Sequence, residues 1–270
     1  MATVTTRLRE RGEPTTRQSP PNDRQIEGNG TPEAAWQGWA RLAALPEVEP
    51  ADLVPFGGRA VIVAPHPDDE VLGTGGLLAR LSQISRSVLI IAVTDGTASH
   101  PDSPAWPPER LADVRPQETR EALQRLRLRQ VQVARLGLPD GGAARLEPKL
   151  SGLLQEHLQP GDVVFTTWRF DGHPDHEAVG RAAYAAATEA RLPFVEVPLW
   201  TWHWASPDDP RVPWSRARRV VLDDSTHARK LRAVQAFRSQ LEPDATTGSA
   251  PVLPDHVLAR LTRPFEVILI

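Results

Sequence analysis

The stretch VIVAPHPDDEVLGTGGLLARL, residues 61–81, joins an apolar run directly to a histidine and three acids. Val61–Ala64 has the uninterrupted apolar character of a strand that is buried on both faces of a sheet. His66, Asp68, Asp69 and Glu70 follow at its end, and a helical pattern begins directly after them. Adjacent carboxylates repel one another unless a positive charge lies among them. The stretch therefore predicts a strand–helix unit with a charged site at the carboxyl end of the strand.

Apolar runs and helical segments alternate along the rest of the chain. Strands are predicted at residues 59–64, 87–96, 130–141, 162–168 and 193–202, with further apolar runs at 217–223 and 265–270. Helices are predicted at residues 31–45, 71–83, 107–126, 147–158, 176–191 and 225–237, and Pro116 predicts a boundary or kink near Arg115. This alternation predicts an α/β fold with a doubly wound, parallel sheet. In such sheets ligands bind at the carboxyl ends of the strands, near the switch in strand order.

A second motif, DGHPDHEAVG at residues 171–180, directly follows the fourth predicted strand. Its imidazoles and the acids of the first motif fall at strand ends that a parallel sheet can bring together. Neutral imidazole and carboxylate suit Zn²⁺, and three protein ligands plus a water are typical of a catalytic zinc site. A divalent ion would also relieve the repulsion between the adjacent acids. The two motifs together predict a metal site.

Each motif alone has a simpler interpretation. The acids at 68–70 could complement the dipole of the helix that follows them. The HPDH segment could be a turn followed by an N-capping aspartate. Gly73, Gly75 and Gly76 do not form a phosphate-binding pattern, and close helix–strand packing or ligand access explains them better. It is the presence of both motifs, each after an apolar strand, that favours the metal.

Composition narrows the classes of function. The 270 residues carry a formal net charge of -3, which argues against a nucleic-acid partner or an anionic membrane surface. The absence of cysteine excludes disulfides and thiolate zinc clusters. No apolar run is long enough for a membrane span and the N-terminus has no apolar signal segment, so we expect no stable membrane insertion and a cytoplasmic location. Residues 1–30 are predicted to be a flexible tail, and residues 31–270 one domain.

Five segments carry a resemblance to a known family: APHPDDEVLGTGGLLA, VTDGTASHP, RPQETREAL, LGLPDG and DGHPDHEAVG. In this order they resemble the PIG-L/LmbE-like zinc-dependent de-N-acetylases over about residues 59–240, and most closely a bacterial subgroup that continues with VPLWTWHWASP and with a spaced pattern at Lys230–Gln240. The resemblance implies a Rossmann-like (LmbE-type), mostly parallel sheet with helices on both faces. It also implies a mononuclear Zn²⁺ site and hydrolysis of an acetamido group on an N-acetylglucosamine-like sugar conjugate.

The resemblance further implies roles for individual residues. Three of them are metal ligands: His66, Asp69 and His176. Asp68 is the general base for the zinc-bound water that attacks the amide, His173 faces the developing oxyanion, and Asp175 orients or charges an imidazole. The chemistry agrees, because amide hydrolysis needs an activated water, a polarised carbonyl and a proton for the leaving amine. Two histidines three residues apart point to one side of a helical turn, so one can bind metal while the other, protonated, stabilises the oxyanion.

Four residues are predicted to contact the substrate: Asp95 in TDG, Arg115 in RPQE, and Trp168 and Arg169 just before DGHPDH. The last two depart from the aromatic-glycine approach of the wider family, which leaves the substrate open. Indoles at 200, 202 and 204 alternate, so a strand would place them on one face, either as core packing or as a surface that stacks on a sugar ring.

The sequence therefore predicts a zinc-dependent N-deacetylase that acts on a small N-acetylated amino-sugar conjugate, with another divalent metal as an alternative cofactor. One alternative is an amidase that cleaves a larger acyl group or a thiol conjugate on the same scaffold. The other is a metal-bearing sugar-binding protein without turnover. Glu70 either hydrogen-bonds within the site or caps the helix. The sequence does not indicate an oligomeric state.

Overall fold

The computed structural model describes residues 24–270, and this part of the chain forms a sheet of seven strands in the order β3-β2-β1-β4-β5-β7-β6. The strands are β1 (Arg59–Ala64), β2 (Ser87–Thr94), β3 (Val131–Leu138), β4 (Asp162–Thr167), β5 (Phe194–Val197), β6 (Ala217–Val221) and β7 (Phe265–Leu269). The first five strands in this order pair in parallel, and β7 is antiparallel to both of its neighbours. The predicted Rossmann-like, mostly parallel sheet is therefore confirmed.

Eleven helices accompany the sheet in the same residues: α1 (Glu33–Gln37), α2 (Ala40–Ala43), α3 (Pro50–Leu53), α4 (Asp69–Gln83), α5 (Pro108–Arg125), α6 (Ala143–Gln155), α7 (Pro174–Glu189), α8 (Thr201–Trp204), α9 (Asp224–Val234), α10 (Arg238–Leu241) and α11 (Asp255–Leu261). Along β1, Ala60 and Ile62 pack with α4, α5 and α9, whereas Val61 and Val63 pack with α6 and α7. Both faces of the strand are thus buried, as its apolar sequence requires.

Two helix predictions need correction. The helix predicted at 31–45 is divided into α1 and α2, with Trp39 in an extended conformation between them. The helix predicted at 107–126 has no boundary at Arg115, because α5 continues through Pro116. Pro116 has no N–H to bond the carbonyl of Ala112, and the Arg135 side chain donates to that carbonyl at 3.5 Å instead.

The predicted strand at 193–202 is too long, and the indole stripe on it is wrong. β5 ends at Val197, and Trp202 and Trp204 lie in the helical turn α8. The three indoles therefore have different surroundings. Trp200 lines the cavity described below, Trp202 contacts Trp36 edge to face at 5.0 Å, and Trp204 stacks on Trp168 at 6.3 Å. Trp202 is core packing, so no shared sugar-stacking face exists.

The segment before α1, from residue 24 onward, packs on the domain. The carbonyl of Glu27 lies 3.0 Å from Nε2 of His203, and the carbonyl of Asn29 accepts a bond from Arg260 at 3.0 Å. Most of the segment predicted as a flexible tail, residues 1–23, lies outside the described residues, and the division at residue 30 stays a prediction. None of the helices in residues 24–270 has the length and apolar character to cross a membrane.

A buried ion pair connects α4, α9 and β7. Nζ of Lys230 lies 2.7 Å from Oε1 of Glu266 and donates to the carbonyl of Leu72 at 2.8 Å. Glu266 also accepts the backbone N–H groups of Gly76 and Leu77 at 2.7 and 2.8 Å. The Leu72 carbonyl and the Gly76 amide are the i and i+4 groups that bond each other in a regular α-helix. The ion pair therefore binds backbone groups in the middle of α4 and holds the helix in place through them.

We expect Lys230→Met to lower the free energy of unfolding by about 3–5 kcal/mol, because it leaves the Glu266 carboxylate buried without its cation. Urea denaturation measures the effect. Lys149→Met is the matched control, since Lys149 is exposed, and it should stay within about 0.5 kcal/mol of the parent. The double variant Lys230→Met/Glu266→Leu should recover part of the loss, because α4 can then close its own backbone bonds. Equal stability of the two lysine variants would contradict this interpretation of the pair.

Candidate metal centre and active site

The carboxyl ends of β1 and β4 lie side by side, with Val63 paired to Thr166 in parallel register. His66 follows β1, and His173 and His176 lie at the start of α7, after β4. The ring of His66 is 5.0 Å from that of His173 and 5.4 Å from that of His176, and the last two rings are 4.8 Å apart. The structure thus brings together the two motifs that the sequence analysis singled out.

His66, Asp69 and His176 form a group that fits a metal ion. Nδ1 of His66 and Nε2 of His176 each lie 3.2 Å from Oδ2 of Asp69. Ligand atoms about 2.0 Å from a tetrahedral zinc lie roughly 3.3 Å from one another, so this spacing suits a shared ion. Nε2 of His176 is also buried without a hydrogen-bond partner among the described residues. A buried nitrogen of this kind calls for a partner, and a metal would supply one.

Carboxylates behind the two histidines determine which ring nitrogen faces the group. Nδ1 of His176 lies 2.8 Å from Oδ2 of Asp171. Nε2 of His66 lies 3.1 Å from Asp140 and 3.5 Å from Asp175. A ring that donates its proton to such a carboxylate keeps a lone pair on the other nitrogen. When the two rings are neutral, the lone pairs of Nδ1 of His66 and Nε2 of His176 are therefore directed to the side of Asp69.

Asp171 is a site residue that the sequence analysis missed. Its side chain is 0% exposed. Besides His176, it accepts the backbone N–H groups of residues 199–201 and the hydroxyl of Thr201. These bonds turn the chain after β5 and start α8, which explains why the predicted strand ends early. The only signal in the sequence was its place as the first residue of the DGHPDH motif.

Asp140 was also missed, although LGLPDG was among the segments that carry the resemblance. It lines the cavity, lies behind His66 and accepts the backbone N–H of Ala98 at 2.7 Å. Burial raises the pKa of its carboxyl, but the hydrogen bond with His66 and the charge of that ring, together with the Ala98 N–H and the charge of Arg115, lower the pKa to about 2. Asp140 therefore stays ionised and can hold the proton of the imidazole.

Asp68 has an unusual backbone with a φ of 133°, which few non-glycine residues adopt. Its carboxylate accepts a bond from Nη2 of Arg115 at 3.1 Å, and the same nitrogen donates to the carbonyl of Pro67 at 2.8 Å. Its backbone N–H donates to Oε2 of Glu70 at 3.1 Å. Strain of about 1–3 kcal/mol persists at such a residue only when neighbours hold it. These bonds hold the Asp68 side chain beside Asp69 in the cavity.

The hydrogen bond from the Asp68 backbone N–H decides between the two interpretations of Glu70. The side chain of Glu70 hydrogen-bonds within the site. Its side chain is buried, and α4 has no side-chain cap. Burial raises the pKa of the Glu70 carboxyl to about 8, and it raises the pKa of Asp68 to about 7 although Arg115 opposes the shift. The charges of the neighbouring acids also oppose the ionisation of Asp68 and Glu70 when no cation lies among them.

His173 and Asp175 occupy the first turn of α7. Nδ1 of His173 accepts the backbone N–H of Asp175 at 3.2 Å, so a neutral ring carries its proton on Nε2. Burial, with the neighbouring histidines, lowers the pKa of His173 to about 3. The lowered pKa favours a neutral ring, whereas the sequence analysis expects a protonated imidazole, and the role of His173 at the oxyanion stays a prediction. The carboxylate of Asp175 accepts N–H groups from Gly141 and Ala143 and lies near His66.

A cavity of about 230 Å³ opens over this group. Its polar lining includes Asp68, Arg115, Asp140, His173 and Gln240, and its apolar lining includes Leu72, Leu199, Trp200, Leu253 and Leu261. Of the four residues predicted to contact the substrate, Arg115 lines the cavity. It reaches Asp68 across Gly96, which has a φ of +65° and leaves no room for a side chain beside the guanidinium.

Three residues predicted to contact the substrate do not line this cavity. Asp95 points to the side and forms an ion pair with Arg135 at 2.8 Å. Trp168 is buried in an aromatic cluster that includes Trp202. Arg169 pairs with the buried carboxylate of Glu196 at 2.8 Å. Each side chain contacts a neighbouring part of the fold instead of the cavity. The spacing of residues in the sequence could not indicate these contacts.

The charges of the metal group support one another. Burial lowers the pKa of His176, but the Asp69 charge and the bond to Asp171 outweigh it and raise the pKa to about 9. Burial likewise lowers the pKa of His66, yet bonds with three carboxylates raise it well above its usual value. Burial raises the pKa of Asp69, but the two imidazoles hold it well below its usual range. Without a metal, protons on the two rings balance the carboxylates.

Comparisons with known proteins cover the part of the chain that contains this site. The family described as PIG-L, GlcNAc-PI de-N-acetylase, matches residues 61–187, which include both motifs. Diacetylchitobiose deacetylase from Thermococcus kodakarensis is 27% identical over 137 residues, which are 50% of this chain and 51% of that protein. The chain thus matches about half the length of this curated relative.

Two solved structures share the fold. The conserved protein TT1542 from Thermus thermophilus is 31% identical, with a TM-score of 0.50 over 68% of this chain and 80% of that chain. The zinc inhibited form of teicoplanin deacetylase Orf2 is 22% identical, with a TM-score of 0.52 over 68% of this chain and 85% of that chain. The second likeness shows the fold alone.

We expect Asp171→Asn to weaken zinc binding about 10- to 100-fold, because His176 loses the carboxylate that orients its ring. Competition with a chromophoric chelator measures the zinc affinity, and thermal melting shows that the variant is folded. Asp95→Asn is the matched control, since Asp95 pairs with Arg135 outside the cavity. Similar zinc affinities of the two variants would contradict the role of Asp171.

We also expect zinc binding to release protons at pH 7. His176 has a raised pKa of about 9 when no metal is present, so its ring is protonated at pH 7 and must lose a proton to bind a cation. Zinc affinity should therefore rise as the pH increases from about 6.5 towards 9, and level off above it. Calorimetry in buffers of different ionisation enthalpy counts the protons. A heat that does not depend on the buffer would contradict the prediction.

Proposed function

The chain belongs to the PIG-L family of de-N-acetylases, and from that premise we propose that it is a metal-dependent hydrolase that removes an N-acetyl group from an amino-sugar conjugate. The observation that carries the proposal is one cavity that holds both a metal-binding group and two further side chains suited to catalysis. The group is His66, Asp69 and His176, and the further side chains are Asp68 and His173.

The donor set suits zinc. Two imidazole nitrogens and one carboxylate are typical of catalytic zinc sites that keep a position for water or substrate. In the proposed enzyme His66, Asp69 and His176 hold the ion. A bound Zn²⁺ would lower the pKa of a water molecule to near 7 and polarise the amide carbonyl.

Asp68 acts in this proposal as the general base. Arg115 bonds Oδ2, and no described residue donates to Oδ1, so this oxygen can take a proton from the attacking water. The protonated carboxyl of Asp68 then donates this proton to the nitrogen of the leaving amine. Asp68 is thereby a carboxylate again when the amine leaves. The guanidinium of Arg115 fixes the carboxylate through both steps.

His173 stabilises the oxyanion that forms when water adds to the amide carbon. Its Nδ1 accepts the Asp175 N–H, so Nε2 carries the hydrogen and can donate to the oxyanion as a neutral group. The backbone bond fixes the ring before the substrate arrives, so no reorganisation is needed during the reaction. Asp175 also lies behind His66 and contributes to its orientation.

A second candidate function differs from the first in the acyl group that is removed. Leu72, Leu199 and Leu253 line the cavity with Trp200, and this apolar surface favours an amidase for a larger acyl or thiol conjugate as the alternative. A sugar-binding protein without turnover is disfavoured, since Asp68 and His173 line the same cavity as the metal group. Carboxylate release from a panel of N-acetylated and longer N-acylated glucosamine conjugates separates these possibilities.

We expect Asp68→Asn to retain zinc but to lower the turnover number about 10²- to 10⁴-fold, because the amide cannot accept the proton of the attacking water. Acetate release from N,N'-diacetylchitobiose and from N-acetylglucosamine conjugates measures turnover, and metal analysis measures zinc. Asp95→Asn is the control and should retain both. Full activity of Asp68→Asn would remove Asp68 from its role, and a zinc-loaded parent that cleaves no amide would contradict the proposed function.

A further inference from the structure

Gln240 lines the cavity, and its side-chain amide lies beside Ser99, another lining residue. Gln240 belongs to α10 and is only 1% exposed. Its Nε2 donates to the hydroxyl of Ser239 at 2.8 Å and lies 3.5 Å from the hydroxyl of Ser99. Among the described residues, none donates a hydrogen bond to its Oε1. A buried amide with its nitrogen bonded and its oxygen unbonded presents one acceptor.

Glu118 determines the orientation of this amide. Oε1 of Glu118 accepts the backbone N–H of Ser239 at 2.8 Å, and its Oε2 accepts the Ser239 hydroxyl at 2.6 Å. An ionised carboxylate can only accept, so the hydroxyl hydrogen of Ser239 points to Glu118. The oxygen of Ser239 must then accept from Gln240, which requires the NH₂ group of the amide on that side. The carbonyl oxygen of Gln240 is therefore directed away from Ser239.

The same chain of bonds fixes Gln240 relative to the catalytic group. Glu118 lies one turn after Arg115 on α5, and Arg115 bonds Asp68. The backbone carbonyl of Gln240 also accepts the backbone N–H of Leu253 at 2.9 Å, and Leu253 is a further lining residue. The helix α5 thus positions both the proposed general base and Gln240, a residue that lines the cavity.

We propose that Gln240 is a specificity-determining residue, whose side-chain carbonyl accepts a hydrogen bond from a hydroxyl group of the substrate. Glu118 and Ser239 are positioning residues that act through it. The inference rests on the proposed function, since it takes this cavity as the substrate site. It assigns the wall at α10 to the polar, hydroxylated part of the conjugate.

The test compares Gln240→Met with Gln235→Met, the same change at an exposed residue five positions earlier. N,N'-diacetylchitobiose and its monodeoxy analogues are the probes, and acetate release is the readout. We expect Gln240→Met to lower kcat/KM for the parent probe about 5- to 100-fold, with zinc content unchanged. Removing the hydroxyl that Gln240 binds should cost the parent enzyme a similar factor and cost Gln240→Met nothing further.

Ser239→Ala tests the positioning role without touching the amide itself. The amide of Gln240 can then rotate, because its NH₂ group loses its acceptor. We expect the variant to discriminate less between the parent probe and the deoxy analogue identified above, while zinc content and the melting temperature stay close to those of the parent enzyme. Unchanged discrimination would overturn the positioning role.

Two results would overturn the role of Gln240 while the proposed function stands. One is equal kcat/KM of the parent enzyme and Gln240→Met on every probe. The other is a uniform loss across the parent probe and all deoxy analogues, which indicates a structural defect. If the parent enzyme cleaves no probe, the proposed function fails instead. Calorimetric affinity of N,N'-diacetylchitobiose for the two proteins then decides, and equal affinity or no binding overturns the inference.

Discussion

Parallel pairing of β1 with β4 is the contact on which the site depends. The two strands run side by side from Arg59 opposite Asp162 to Val63 opposite Thr166, although a long stretch of chain separates them. Two members of the metal-binding group, His66 and Asp69, follow the carboxyl end of β1, and the third, His176, follows that of β4. β2 lies on the other side of β1, so the strand order switches here, where α/β sheets bind ligands.

Carboxylates outside the metal-binding group orient the imidazoles of the site. Asp171 and Asp140 each hold one imidazole by the nitrogen that faces away from Asp69. Asp171 also accepts three backbone amides of the segment after β5, so the same side chain that orients a ligand ends a strand and shapes the cavity wall. Metal chemistry and folding are therefore coupled at this residue.

The strand–helix alternation and the meeting of the two motifs were predictable, because buried strands and motif positions can be recognised in the sequence. The partner of each side chain was not. Asp95 follows β2 as His66 follows β1, yet it turns to Arg135, and Gly96 makes room for Arg115 instead. The apolar character of residues 198–202 indicated a strand, but Asp171 draws their amides out of the sheet. Such choices depend on tertiary contacts that local patterns do not contain.

Anomalous X-ray scattering at the zinc edge, from crystals of the zinc-loaded protein, tests the proposed metal centre most directly. His66 offers two sides to a cation: one with Asp69 and His176, the other with Asp140 and Asp175. We expect one peak at about 2.0–2.2 Å from Nδ1 of His66, the Asp69 carboxylate and Nε2 of His176. A peak at Nε2 of His66 beside Asp140 and Asp175, or no peak in the cavity, would contradict the proposed centre.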